Sequence, residues 1–555
     1  MFSELKAIPN PWCDVCVVGA GPVGIALALA LADSGLNTLL VESGGNRPDK
    51  LSRELSTLAS YNNDYHHSSE ATVVRAIGGT SLRWGGRCVE YDDLDFEPRD
   101  HVADAAWPIG HDVLKPFYAA ARSMLTADYE DRPAADIADR DLTLSRESWT
   151  RTPNAARVHR KRLREHRRLI VIRHATASRL HFDAEGSRLS ALTVVGRAMS
   201  SQIAAPLFVF AAGGRENTRL LLELQRRFSS LFGGVGGPLG RYYMGHLTGE
   251  IATITFSSSS RAERFLFKRA ATGSIVRDRF MPTAELQKQH RLLNIAMWPD
   301  SLRPDEIIAG NGAVSLFHMA RHLIRRARDP IFSHTVAASE ATSAHFRNIA
   351  AHPVQTVYES SRLLAGRLLS PAYYPQFSFV SPTNSYLLRY HAEHSPLAES
   401  RVTLASAKDD NGSHRLDVDF RYAPEDYTSV VRGHDLLADF LSRTNLGTLA
   451  FMKPRDMCAE WVAGQALDGY HQIGLTRMSL DRAHGIVDSN CKVHDISNLY
   501  IAGSSVFPTS SQANPTLPAV AMALRLASHL AELAQRSPMH AETSASGRNG
   551  IALSG

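Results

Sequence analysis

Two residues near the end of the chain, His471 and Asn514, are of the types that together can oxidise an alcohol. Removing a hydride from a carbon that bears a hydroxyl also requires the hydroxyl proton to leave. A histidine, with an ordinary pKa of about 6.5, is suited to accept it. An asparagine beside it can hold the oxygen through its amide N–H. His471 opens HQIGLTRMS after an Asp-Gly turn at 468–469, and Asn514 stands directly before Pro515 and Thr516. The chain holds 24 histidines, so spacing alone does not single out His471. The elements around the pair say more. NLYIA (498–502) reads as a buried strand ending at Gly503 and Ser504, and an Ala-rich helix is expected from about Pro515. The first N–H groups of such a helix favour an anion. The N1–C2=O edge of a reduced flavin is one such anion.

The other half of a cofactor site stands at the opposite end of the chain. DVCVV (14–18) is a short buried-strand pattern, followed by GAGPVG and an apolar helix from about Pro22 to Asp33. NTLLV (37–41) is a second strand, with Glu42 at its carboxyl end. Gly19 permits the tight turn, Gly21 lets the backbone approach a pyrophosphate, and Gly24 lets helix and strand pack closely. Glu42 can bind both ribose hydroxyls and repels a 2′-phosphate, which disfavours NADP and leaves NAD and FAD open.

Between these ends, GGTSLRWGGR (78–87) sets Trp84 among four glycines and places Gly79, Ser81 and Gly85 beside it. Such a loop can lie flat against a planar ligand. Asp112 is expected to cap a helix running through Tyr118, and the basic run 157–168 reads as a solvated helix face. LFVFAA (207–212), ending at Ala212, followed by GGRENTRLLL, is a second strand–Gly–helix crossover and suits a parallel sheet. From 251 the texture changes. IATITF alternates, 314–366 is helix-like with a basic face, strands are expected at 400–404 and 415–423, and a helix at 425–443. The fold class is α/β: a doubly wound, Rossmann-like dinucleotide-binding domain with an antiparallel-sheet α+β cap. The expected division is 1–250, 251–464 as the substrate-binding part, 465–536 returning to the first domain with the chemical residues, and a disordered tail over 537–555.

Composition narrows the function. A net charge of +5 over 555 residues gives no argument for a nucleic-acid partner. Five cysteines, sparse and odd in number, read as free thiols in a reducing compartment. Cys13 and Cys16 form a CxxC with no second pair to complete a zinc site, so no metal is expected. No signal-peptide pattern and no uninterrupted apolar run of about 18 residues is seen, so a cytoplasmic protein without an integral membrane segment is expected.

These motifs run in the order of a known family. The chain resembles the GMC (glucose–methanol–choline) FAD-dependent oxidoreductases, in the style of the bacterial branch acting on sugars and polyols. The carrying motifs are GAGPVG with Glu42, GGTSLRWGG, WPIGHDVLKPFY, FAAGGRENTRLLL, GRYYMGH (240–246), ESRVTL (399–404), HQIGLTRM and NLYIAGSSVFPTSSQANPTL. The resemblance implies FAD in the N-terminal site, with Gly79, Ser81, Trp84 and Gly85 near the isoalloxazine or the diphosphate. Ala177 would lie toward the adenine, Ala212 among the cofactor contacts, and Gly503, Ser504, Pro515 and Thr516 at the flavin. His471 matches the family's general base and Asn514 its partner. The implied reaction is oxidation of the CH–OH group of a small alcohol by hydride transfer to flavin N5, with O2, a quinone or a separate carrier as electron acceptor. The implied cap is a six-stranded antiparallel sheet.

Departures are visible. Related pyranose oxidases attach FAD through a histidine just before the loop tryptophan; Arg83 stands there, so non-covalent FAD is expected. Leu475, Ser479 and Gly503 replace the usual Thr, Gly and Asp, changes that touch flavin packing more than chemistry. The rival readings are a lyase of the same fold that keeps FAD without net redox turnover, and a catalytically silent flavoprotein.

Overall fold

The computed structural model describes residues 2–4, 13–129, 140–197, 199–300, 312–313, 315–316, 319–320, 338–351, 353–368, 381 and 383–536. The expected tail over 537–555 lies outside the described residues, as does much of the helical stretch 314–366. The described part of that stretch includes helices Ala338–Ala351 and Pro353–Leu368.

A six-stranded parallel sheet runs in the order Phe2–Glu4, Leu169–Arg173, Thr38–Val41, Val15–Val18, Leu207–Phe210, Leu499–Ile501. Val15–Val18 has its next strand in sequence on one side and Leu207–Phe210 on the other. Its carboxyl end is therefore a switch point, where a crevice opens between diverging connections. The glycines stand at this end. Gly19 has φ +102°, a conformation open mainly to glycine. A Cβ on Gly24 would lie 1.9 Å from the Gly19 carbonyl oxygen, whereas a Cβ on Gly21 would meet nothing within 4 Å. Gly24 thus serves packing, and Gly21 faces open space.

The helix Pro22–Asp33 is apolar on nearly every side because it is covered on nearly every side, by the sheet and by the helix Thr516–Arg536. The latter is long and apolar enough to cross a membrane, but 61% of its apolar window is buried inside the protein, as in a core helix. The two ends of the chain thereby close one core.

The second sheet is antiparallel and eight-stranded, in the order Gly447–Phe451, His246–Phe256, Ser385–Glu393, Ile295–Asp300, Ile275–Pro282, Leu142–Trp149, Arg87–Cys88, with Lys268–Arg269 also on Ile275–Pro282. The sheet thus has eight strands where six were expected, two of them with only two residues. The sheet draws Arg87–Cys88 and Leu142–Trp149 from outside the 251–464 block. The reason is local: the Gly-rich loop 78–87 runs straight into the Arg87–Cys88 strand. Alternation then sorts the faces. Leu388, Tyr390 and Ala392 enter the apolar core with Phe280, Phe440 and Leu441, while His391 turns to the loop that carries Asn514.

Other expectations meet local corrections. Strands Arg401–Lys408 and His414–Asp419 pair antiparallel, but with Ser60–Tyr61 they form a separate three-stranded sheet. Gly110, not Asp112, occupies the cap of the helix His111–Leu114. Asp112 lies in the first turn, where its charge still favours the helix dipole. All five cysteines are free and buried. Burial pushes the Cys13 thiol up to about 12 and the Cys16 thiol well above its ordinary value, which leaves the CxxC chemically inert.

Candidate active site

A cavity of about 580 Å³ lies at the switch point, lined by Gly19, Gly21, Glu42, Gly79, Ser81, Trp84, Gly85, Ala177, Ala212, His471, Gly503, Ser504, Asn514, Pro515 and Thr516. Gly24 packs beneath it. Several side chains hold the walls rather than project into the space. Glu42 accepts the N–H of Ala20 and of Gly44, both at 2.8 Å, and so clamps the glycine turn. Each carboxylate oxygen keeps a second lone pair for a ligand hydroxyl. Burial raises the Glu42 pKa, against the pull of those two N–H groups. Ser81 Oγ donates to the Gly78 carbonyl at 2.5 Å and accepts from the Ala155 N–H at 3.1 Å. Trp84 Nε1 donates to the Pro153 carbonyl at 2.6 Å, and Ser504 Oγ to the Gln472 carbonyl at 3.1 Å.

The chemistry of the walls fits FAD. Gly21 leaves room for a close backbone approach, and the Pro22 and Thr516 helices both begin at the cavity. Pro515 and Pro518 carry no N–H, so Thr516 and Leu517 supply the first donors of the second helix. Arg215, 4% exposed, lines the same space, and its Nη1 has no hydrogen-bond partner among the described residues. A buried guanidinium atom of this kind calls for an anionic ligand group.

At one end of the cavity stands His471. Asp468 Oδ1 accepts the Tyr470 and His471 N–H groups at 2.8 and 3.3 Å. Its Oδ2 accepts the His246 N–H at 2.7 Å and lies 2.9 Å from His471 Nδ1. The Asp-Gly turn read from the sequence therefore also orients the His471 ring. Burial would raise the Asp468 carboxyl, but His471 and His246 hold it well below the usual carboxylate range. A carboxylate at Nδ1 requires a proton there, which leaves the Nε2 lone pair free. That lone pair meets Asn514 Nδ2 at 2.9 Å.

Two further histidines complete the cluster. His246 Nε2 faces the carbonyls of Ser510 and Ala513 at 3.2 and 3.1 Å, so it carries the proton; its Nδ1 lies 3.0 Å from His471 Nδ1. His391 Nδ1 donates to the Gln512 carbonyl at 2.6 Å. Ligating atoms of His246, His391 and His471 all lie within 4.8 Å of one another. The rings of His246 and His391 are stacked, at 4.3 Å and 28°. Both nitrogens of His471 are already engaged. This geometry favours hydrogen bonding over metal ligation.

The loop 509–514 is buried and clamped from several sides. Tyr91 Oη donates to the Ser510 carbonyl at 2.8 Å, Trp107 Nε1 to Thr509 Oγ1 at 2.8 Å, and Ser511 Oγ to Asp95 at 2.7 Å. Gln512 Nε2 donates to Asp92 at 3.1 Å, and Ser510 Oγ to the His394 carbonyl at 3.0 Å. Asn514 thus projects from a rigid base, as a reacting group requires. The sequence reading missed Asp468, His246, His391 and Arg87. His246 stood in the GRYYMGH motif and Asp468 three residues before His471. Nothing local marks His391 or Arg87.

Burial makes this site acid-sensitive. His66 is pushed down to about 3, His394 and His434 to about 4, and His246 and His391 well below 6.5, each chiefly by burial. Unfolded, these imidazoles take protons below pH 6.5; folded, they do not until far lower. Their contribution to stability is complete above 6.5 and is lost as the pH falls. Asp95 and Asp426, pushed up to about 7 mainly by burial, act in the opposite sense between 3.8 and 7 and offset two of the five. The depressed imidazoles outnumber these two carboxyls, so the net effect is a loss of stability as the pH falls. Thermal unfolding should show Tm falling steeply from pH 6.5 to pH 5. A flat profile would mean that these imidazoles are not neutral in the fold.

The two segments that meet in the cavity are also those matched by family models. Residues 12–52 match the FAD binding domain, and residues 396–523 match the GMC oxidoreductase model. The chain is 24% identical to the 6'''-hydroxyparomomycin C oxidase of Streptomyces lividus, over 93% of its own length and 92% of that enzyme. A stretch of 20% of the chain is 33% identical to the pyranose 2-oxidase of Lyophyllum shimeji, spanning 16% of that enzyme. The fold is similar to that of pyridoxine 4-oxidase from Mesorbium loti, with a TM-score of 0.50 at 15% identity, covering 93% of this chain and 99% of that one. The chain thus carries an FAD-binding segment and a GMC oxidoreductase segment, the marks of an FAD-dependent oxidoreductase.

Proposed function

We propose that this enzyme oxidises a CH–OH group of a sugar, cyclitol or related polyol to a carbonyl, with His471 as the general base. The observation that carries the reading is the unprotonated Nε2 of His471, which accepts from the Asn514 amide at 2.9 Å and is oriented from behind by Asp468. FAD bound in the cavity supplies the acceptor for the hydride, at its N5. The hydroxyl proton goes to His471 Nε2, and the charge that develops on the ring is balanced by the Asp468 carboxylate. The Asn514 amide donates to the substrate oxygen and keeps the C–H bond aimed. Relatives named as oxidases of a pyranose and of a hydroxyparomomycin support a sugar or polyol substrate.

FAD is held without a covalent bond. Arg83, before the loop tryptophan, is exposed and donates to the Glu70 carbonyl, and a guanidinium is no nucleophile. Acid precipitation of the protein should leave the yellow chromophore in the supernatant; colour in the pellet would contradict this. The test of the reaction is anaerobic mixing with neutral sugars, amino sugars, cyclitols and aromatic alcohols while the visible flavin band is followed. Bleaching by one class names the substrate, and the speed of recovery in air separates O2 from a quinone or carrier as acceptor. Product formation with the band unchanged throughout turnover would instead mean a lyase.

A further inference from the structure

The amide of an asparagine has nearly the same shape at both ends, and its own chemistry does not decide which end faces a base. At Asn514 that decision comes from Arg87. A guanidinium only donates, so the Asn514 atom 3.0 Å from Arg87 Nη1 is the carbonyl oxygen Oδ1. The amide nitrogen is thereby turned onto His471 Nε2, at 2.9 Å.

Arg87 is itself fixed. Its Nε donates to Glu147 at 2.5 Å, and its guanidinium lies 4.9 Å from the centre of the Trp298 ring. Glu147 is fully buried and shared with Arg277, whose Nε donates to it at 2.7 Å. Against the effect of burial, Arg277, Arg87 and Arg279 hold the Glu147 carboxyl down at about 2, so it stays charged. At the far end, Asp468 accepts a hydrogen bond from the His471 Nδ1–H. Glu147, Arg87, Asn514, His471 and Asp468 therefore form one chain of hydrogen bonds, in which donation runs outward from Arg87, to Glu147 on one side and through Asn514 and His471 to Asp468 on the other.

We propose that Arg87 is a positioning residue of the reaction: it sets the polarity of the Asn514 amide, so that an N–H and not a carbonyl faces His471 Nε2 and the substrate oxygen. This rests on the reading of His471 and Asn514 as the reacting pair. With the amide reversed, Oδ1 would confront the Nε2 lone pair. The relief would be a proton on Nε2, the tautomer that cannot accept one from substrate.

The test is a double-mutant cycle on FAD-loaded protein: wild type, Arg87→Met, Asn514→Ala and the double variant, with whichever sugar, amino sugar, cyclitol or aromatic alcohol of the panel bleaches the wild-type flavin fastest. Anaerobic stopped-flow gives the rate constant of flavin reduction and the apparent substrate dissociation constant separately. Arg87→Met should lower the rate constant by about 10- to 100-fold while Asn514 is present, and by less than about twofold when it is absent. The dissociation constant should change by less than about threefold, since the Asn514 contact to the substrate oxygen strengthens chiefly as charge develops there in the transition state. Equal losses in both backgrounds, or no loss in either, would overturn the proposal. If Arg87→Met does not hold FAD, Arg87→Gln carries the same cycle with the same criteria, because an amide there can accept as well as donate and releases the polarity. The underlying reading fails separately: it falls if Asn514→Ala alone reduces flavin at the wild-type rate.

Discussion

His471→Ala should slow anaerobic flavin reduction by about 10²–10⁴-fold, the usual contribution of a positioned general base. The loss should fall on the rate constant of reduction, with FAD content and the visible band unchanged. His471 is partly exposed to the cavity, with a side-chain accessibility of 19%, and is not part of the apolar core. Its removal leaves Asp468 with the His246 and Tyr470 N–H groups as partners. The fold should therefore survive and the chemistry should not. An alternative base could come only from a neighbour. His246 and His391 are kept neutral by burial, but each donates one ring N–H to the main chain, and both lie behind or beside His471. Stopped-flow reduction of the variant at the wild-type rate would remove His471 from the mechanism.

Asp468→Asn is expected to have a loss on the order of 10²–10⁴ in the same rate constant, for a different reason. Both oxygens of Asp468 accept two hydrogen bonds: Oδ1 from Tyr470 N and His471 N, Oδ2 from His246 N and His471 Nδ1. An amide has only one acceptor end. Whichever way it turns, an NH₂ group confronts N–H donors. If it faces His471, the ring is driven to the tautomer with its proton on Nε2, and the base is blocked. The negative charge that balances the ring after proton uptake is lost as well. Leaving buried N–H groups without acceptors also costs about 1–3 kcal/mol each, so Tm should fall. The rate loss distinguishes the catalytic contribution, because a merely loosened turn would weaken substrate binding and FAD retention together. A normal reduction rate with a lowered Tm would confine Asp468 to a structural role.

Much of this site was legible in the chain. The glycine spacing of GAGPVG and the position of Glu42 follow from the needs of a dinucleotide at a strand end, and the cavity contains both. His471 and Asn514 were readable as residue types with the right chemistry, and the structure brings them to 2.9 Å. What was not legible depends on pairing between distant strands. Arg87 lies in a two-residue strand whose meaning comes only from pairing with Trp149 and Cys88 with Ser148. His391 reaches the loop because Ser385–Glu393 pairs with His246–Phe256 in one register; a shift of one residue would send it into the apolar core. Glu42 shows the same limit in another way. Its type and place were evident, but its service to the Ala20 and Gly44 N–H groups required the folded turn.

The closure of one core by both ends of the chain has a consequence for biosynthesis. The helix Pro22–Asp33 is apolar on almost every side and is made well before its partner Thr516–Arg536 and the edge strand Leu499–Ile501. Until then the nascent chain exposes a sticky surface and an unpaired parallel strand, a state prone to aggregation and suited to chaperone binding. His471, Asn514 and the Thr516 helix start all belong to this later segment. Cofactor capture thus waits for it, and yellow colour in a nascent or truncated preparation would report that the Thr516–Arg536 helix has docked.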